Sequence, residues 1–119
     1  MAFDIAALYA NIPEKLIDCQ VLLEKTIKAY GDAADQEAVT TLLYRKKKGE
    51  VIEELIRSKM PVTVVLEIAR GKCAEEKQAL MLATSAKNRL QKLIDGYRER
   101  LFTLRHLGRG IEPMTRSDQ

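Results

Sequence analysis

The sequence has little of what catalytic and metal-binding sites are usually built from. It contains no Trp, one His and two Cys, and aromatic residues make up 5% of the chain. A zinc site needs about four ligands, so this composition argues against metal binding. The two cysteines, Cys19 and Cys73, are predicted to be small buried side chains of helices, and free thiols suit a reducing compartment. We expect no metal and no cofactor.

Long apolar runs, prolines and glycines are also scarce. No run approaches the roughly 20 apolar residues of a membrane span, and no secretory signal pattern is present. We therefore expect a cytoplasmic protein that does not bind membranes. Three Pro and six Gly among 119 residues, with 46% hydrophobic and 31% charged residues, are typical of a folded helical chain. We predict one helical domain over residues 1–110 and a flexible tail over residues 111–119.

A long apolar stripe is the clearest pattern that the sequence does contain. Eight positions recur at alternating steps of three and four, which keeps them on the face of a helix that packs along a partner. They are Leu80, Ala83, Lys87, Leu90, Ile94, Tyr97, Leu101 and Leu104. Lys87 is the only charged residue in the stripe. Either it fixes the register of the seam, or its stem lies along the seam while its ammonium stays in water.

The first half of the chain also has helical spacing. Residues 2–10 predict a short amphipathic helix, and a long helical arm follows from Pro13 to Ser58. Gly31 is the weak point of this arm, where the helix either stops and restarts or runs through with a kink. Met60-Pro61 ends the arm, because a residue before proline is disfavoured in the helical region.

A short connector leads into the second long arm. Residues 62–71 are rich in β-branched side chains, but no second strand is available for pairing, so a short helix is the better interpretation. The second arm then covers residues 72–107, and Gly108 and Gly110 are predicted to end it.

Two long arms joined by a short connector must pack antiparallel to bury their stripes. The predicted fold is therefore all-α, an elongated antiparallel helical hairpin or coiled-coil-like bundle. Some apolar residues fall outside the main stripe, and either the N-terminal segment or a second copy of the chain would have to cover them. We expect a homo-oligomer. These residues are Leu82, Ala86, Leu93 and Phe102.

Charge is distributed unevenly along the chain. Residues 1–40 hold seven acids against three lysines, residues 41–59 hold six bases against three acids, and residues 87–109 hold seven bases against two acids. The basic clusters either balance the acidic N-terminal arm within the bundle or contact an anionic partner such as DNA. The candidate contact residues are Arg45, Lys46, Lys47, Lys48, Arg89, Lys92, Arg98 and Arg105.

No arrangement of side chains in the sequence predicts catalysis. The single histidine, His106, has no nucleophile or carboxylate placed beside it by the sequence. Adjacent acids such as Glu53-Glu54 diverge by roughly 100° on a helix and cannot converge on one substrate. The chain is therefore predicted not to be an enzyme.

The connector and the second arm carry a family resemblance. Met60-Pro61-Val62-Thr63, Ala69-Arg70-Gly71, and Arg100-Leu101 followed by Leu104 resemble a group of small phage and prophage proteins of unknown function. The resemblance covers residues 59–107 and implies an accessory role in phage replication or recombination, in the cytoplasm of a bacterial host. It carries over no catalytic residues.

Together these patterns predict a non-enzymatic phage or prophage accessory protein that binds a protein partner or DNA. The alternative is a structural or regulatory coiled-coil adaptor, or an inhibitor of a host protein, that does not bind nucleic acid.

Overall fold

The computed structural model describes the backbone of residues 11–117 and the side chains of residues 11–108. This part of the chain forms helix α1 (Ile12–Arg57), helix α2 (Val62–Lys72) and helix α3 (Ala74–Ser117). The predicted all-α fold and the predicted short helix of the connector are confirmed. The amphipathic helix predicted for residues 2–10 lies outside the described residues.

Helix α1 is continuous through Gly31, the position at which the sequence allowed either a break or a kink. It begins immediately after Asn11, whose carbonyl oxygen accepts a hydrogen bond of 2.9 Å from the Lys15 amide. Pro13 is in the first turn, where its missing N–H costs no hydrogen bond. Gly31 lies inside the helix, and a side chain at this position would meet no atom within 4 Å. No close packing requires a glycine here.

The end of α1 is a helix-terminating turn closed by two backbone hydrogen bonds. The Lys59 amide donates to the Ile56 oxygen at 3.0 Å, and the Met60 amide donates to the Leu55 oxygen at 3.4 Å. This pair of bonds defines the Schellman motif, whose left-handed residue is usually glycine. Here that residue is Lys59, with φ of 60°. Pro61, two residues further on, is the N-cap residue of α2.

Helices α2 and α3 meet at a single residue, Cys73, with φ of −101° and ψ of 11°. The Cys73 amide donates to the Ala69 oxygen at 3.0 Å, and the Lys77 amide donates to the Cys73 oxygen at 2.9 Å. Helical hydrogen bonds therefore continue on both sides of the junction. Gly71 lies inside α2 and does not end it.

Helix α3 extends further than the sequence predicts. It passes Gly108 and Gly110 and ends at Ser117, so the predicted end at these glycines is wrong. A glycine ends a helix when it adopts a left-handed conformation, and no described glycine has a positive φ. The flexibility of a tail over residues 111–119 and the single domain over residues 1–110 stay predictions.

The chain groups into two compact units. Among the described residues, the first combines residues 11–29 with residues 90–117, and the second is Tyr30–Arg89. In the first unit, Cys19 lies beside Tyr97, with 3.5 Å between its sulfur and the Tyr97 carbonyl oxygen. Ile12 lies beside Gly108, so the two helices run antiparallel there. The core of this unit consists of Cys19, Leu101 and Leu104, with Leu16, Leu23 and Tyr97 packed against it.

In the second unit, α1 and α3 are again antiparallel, because Glu37 pairs with Lys87 and Lys47 pairs with Glu76. Helix α2 adds a third side to the core at one end. The buried cluster there consists of Val51, Leu55, Val65, Ala69 and Cys73, with Tyr44, Ile52 and Ile68 packed against it. The predicted antiparallel hairpin is confirmed in each unit, and both cysteines are buried and free as predicted.

Candidate interaction surfaces

The eight stripe residues of α3 all lie on its covered side. Ala83, Ile94, Leu101 and Leu104 are buried, and the other four are partly buried. Helix α1 has a matching row with the same alternating spacing in the second unit: Tyr30, Ala33, Glu37, Thr40 and Tyr44. Thr40 is buried, and its hydroxyl bonds to the carbonyl oxygens of residues 36 and 37. The hydroxyl is therefore satisfied within its own helix.

Lys87 forms an ion pair across the seam. Its ammonium lies 2.7 Å from a carboxylate oxygen of Glu37, and about a quarter of each side chain is exposed. The hydrogen bond from Lys87, with a second from Thr84, lowers the pKa of Glu37 below its ordinary value of 4.5. The same bond with Glu37 raises the pKa of Lys87 above 10.5. The Lys87 ammonium is thus paired with a carboxylate and is not solvated by water alone. Both groups are charged at neutral pH.

Glu37 was not predicted as the partner of Lys87. The signal was available, because Glu37 lies on the alternating row of α1. A salt bridge of this kind needs one orientation and one register of the two helices, since a shift of one residue would turn Lys87 away from Glu37. Its position is consistent with a role in register.

The four consecutive basic residues of α1, at positions 45–48, have different surroundings. Lys47 lies 3.4 Å from a Glu76 carboxylate oxygen, and the Lys48 ammonium stands 5.7 Å from the centre of the Tyr44 ring. Arg45 and Lys46 are exposed and make no ion pair within the described residues. The four residues therefore do not present one continuous basic surface.

The basic residues of α3 remain open to solvent. Arg89 belongs to the second unit, whereas Lys92, Arg98 and Arg105 belong to the first. All four are exposed, and none forms an ion pair in the part of the chain that the structure describes. Within the first unit, Arg98 and Arg105 are seven residues apart and share one side of the helix, whereas Lys92, six residues before Arg98, lies on another side.

A shallow groove of about 280 Å³ lies between α1 and the start of α3 in the second unit, lined by Leu43, Lys46, Lys47, Glu50 and Glu76. One carboxylate oxygen of Glu76 is buried and lacks a hydrogen-bond partner among the described residues. The groove mixes two lysines with two acids, so it does not concentrate charge of one sign.

Large apolar side chains on the outside are the most prominent surface feature. In the second unit, one group surrounds the turn between α1 and α2, and we call it the tip surface. The exposed fraction is 60% for Ile56, 40% for Met60, 73% for Val62, 41% for Val64 and 45% for Leu66. Isolated exposed apolar residues are ordinary, but a local group of them typically marks an interaction site.

Acidic, histidine and cysteine side chains do not group into a metal site in the described region. No group of three or more His, Cys, Asp or Glu residues is placed there to hold an ion. The ring of His106 is stacked on Phe102, with the ring centroids 6.3 Å apart. Of the helices in this region, none has an apolar stretch long enough to cross a bilayer.

Comparison with protein families, with curated proteins and with solved structures finds no match to this chain.

Proposed function

We propose that this chain is a non-enzymatic protein that acts by binding another protein through the tip surface. The observation that carries the proposal is the exposure of Val62 and Leu66, which are four residues apart and share one side of the short helix, while Val65 and Ala69 fix the helix in the core. Helix α2 is therefore held in place while its outer residues stay available. A rigid apolar surface of this kind binds without a large ordering cost.

The nature of the surface also indicates the kind of partner. Apolar side chains gain free energy when they are removed from water, by about 25 cal/mol per Å², so the partner should present an apolar groove or patch. The same proposal favours the hypothesis of an adaptor or an inhibitor of a host protein over the hypothesis of a protein that binds only DNA. The resemblance to small phage and prophage proteins extends it to an accessory role in the cytoplasm of a bacterial host.

A capture experiment tests the tip surface. The full-length chain is immobilised, exposed to bacterial lysate and compared with the double variant Val62→Asp and Leu66→Gln. Both positions are exposed, and an acid in the first turn of a helix is favourable, so this variant should fold with an unchanged circular dichroism spectrum. We expect a stoichiometric partner that the variant no longer captures.

Arg45→Glu is the matched control, because it changes charge on an exposed residue of the same unit outside the tip surface. It should leave capture unchanged. Capture that persists in the tip variant, or is lost in the control instead, would contradict the proposal.

DNA binding is the second candidate, and the unpaired state of Arg45 and Arg89 among the described residues favours it. Its test is a titration of single- and double-stranded DNA at two salt concentrations. If DNA is the partner, affinity should fall steeply with salt, and Arg45→Glu should reduce the salt slope by about one. Absence of binding at low salt removes this candidate.

A further inference from the structure

A second apolar surface lies along one side of the α1–α3 seam, within the second unit. The alternating rows of the two helices show which residues adjoin the seam on this side. They are Val39 and Leu43 of α1, and Ala79, Leu82 and Ala86 of α3. All five are exposed, and the exposed fraction reaches 51% for Val39, 55% for Leu43 and 61% for Leu82. We call this group the side patch.

The two ion pairs of the seam fix the levels of the two helices. Glu37 stands opposite Lys87, and Lys47 stands opposite Glu76. Val39 and Leu43 therefore lie at the height of the α3 residues of the side patch. The patch combines residues of both helices at one level.

Charged residues border the side patch at both ends, in opposite order on the two helices. At one end, α1 contributes Lys46 and α3 contributes Glu75. At the other end, α1 contributes Asp32 and α3 contributes Arg89. All four are exposed, and none makes an ion pair within the described residues. At each end of the side patch, the charge on α1 is therefore opposite in sign to the charge on α3.

We propose that a second copy of this chain docks on the side patch and forms a four-helix bundle with two-fold symmetry. An axis parallel to the helices places α1 of each copy over α3 of the other, antiparallel to it and at the same level. Lys46 then faces Glu75 of the other copy, and Asp32 faces its Arg89. The side patch covers its own counterpart, as an isologous interface requires.

This arrangement accounts for both features of the surface. Two-fold packing removes Leu43 and Leu82 from water, and it pairs four charges that have no ion-pair partner among the described residues of one copy. Complementary charges steer association and select the register, whereas like charges brought together cost several kcal/mol. The proposal does not depend on the tip surface, which lies at a different place in the unit.

The mass of the full-length chain in solution is the first test. Sedimentation equilibrium or light scattering at a protein concentration of about 100 μM should give twice the 13.5 kDa chain mass. Leu43→Glu with Leu82→Glu should give a monomer of unchanged helicity, because both residues are exposed. Phe102→Glu, which is 72% exposed and belongs to the first unit, is the matched control and should remain a dimer.

A charge exchange tests the pairing itself. Lys46→Glu and Glu75→Lys should each weaken the dimer about tenfold or more, because each brings like charges together. The double variant restores opposite charges and should recover most of the affinity. Three results would overturn the proposal: a monomeric wild type, which would leave the patch to another protein or segment; a side-patch variant that stays dimeric; or a double variant that is no tighter than the single ones.

Discussion

At position 59, glycine should make the protein more stable than alanine does, although glycine weakens helices elsewhere in the chain. Lys59 has φ of 60°, and a left-handed conformation costs a residue with a Cβ roughly 1–2 kcal/mol that glycine avoids. The greater freedom of glycine in the unfolded chain offsets about 0.5–1 kcal/mol of this gain. We expect Lys59→Gly to exceed Lys59→Ala in free energy of unfolding by about 0.5–1 kcal/mol.

The comparison with alanine removes a second effect from the measurement. A lysine near the end of a helix interacts favourably with the helix dipole, and both substitutions lose that interaction equally. Any difference between them therefore reports the backbone conformation. The two hydrogen bonds that close the turn, to the Ile56 and Leu55 carbonyl oxygens, are made by the backbone and remain available to both variants.

Urea denaturation followed by far-ultraviolet circular dichroism measures the difference. Lys28 is the matched control, because it is exposed in the interior of α1. At that position glycine should be less stable than alanine by about 1 kcal/mol, so the sign of the effect reverses between the two sites. If Lys59→Gly is no more stable than Lys59→Ala while the Lys28 variants behave as expected, the left-handed conformation of Lys59 is contradicted.

Three further predictions concern the core, the seam and the thiols. Leu101→Ala should lower the free energy of unfolding by about 2–5 kcal/mol, because Leu101 is 5% exposed. Its neighbour Phe102, 72% exposed, should change stability by only about 0.5 kcal/mol when replaced by alanine, and equal losses in urea titrations would contradict the core assignment. Since Lys87 lowers the pKa of Glu37 below 4.5, this carboxylate stabilises the fold above that pH and loses its contribution as pH falls through the lowered pKa. Glu37→Gln should accordingly be less stable than wild type at neutral pH and nearly equal to it in strong acid, and a gap that stays constant across the pH range would count against the ion pair. Both cysteine thiols are buried, so a thiol-specific reagent should label them slowly in buffer and rapidly in urea; rapid labelling in buffer would show that they are accessible.

The fold was predictable because its signals are local. Proline after Met60 ends α1, and the alternating spacing of apolar residues in α3 marks its covered side. These features act through backbone sterics and burial, which a sequence records directly. The two glycines near the end of α3 misled the prediction, because glycine permits a left-handed turn without requiring one.

The partner of Lys87 and the left-handed conformation of Lys59 were not predictable in the same way. Helix α1 carries a seam row in which Glu37, Thr40 and Tyr44 are polar or amphipathic, so a search for apolar stripes passes over it. Lys59 adopts a left-handed conformation that is usually taken by glycine, and a lysine in the sequence does not predict that conformation. The sequence identifies Leu82 and Ala86 of the side patch as apolar residues outside the stripe, whereas the tip surface and the α1 residues of the side patch become visible only when burial separates the exposed apolar residues from the covered ones.

The single-residue junction at Cys73 restricts how this protein can change length during evolution. One residue inserted into α2 would rotate all of α3 by about 100° and carry Lys87 away from Glu37. An insertion of seven residues would preserve the covered face of a helix, but only a matching insertion in the opposite helix would keep the two rows level. Homologous chains should therefore differ by paired steps of seven residues in α1 and α3, while α2 keeps a constant length.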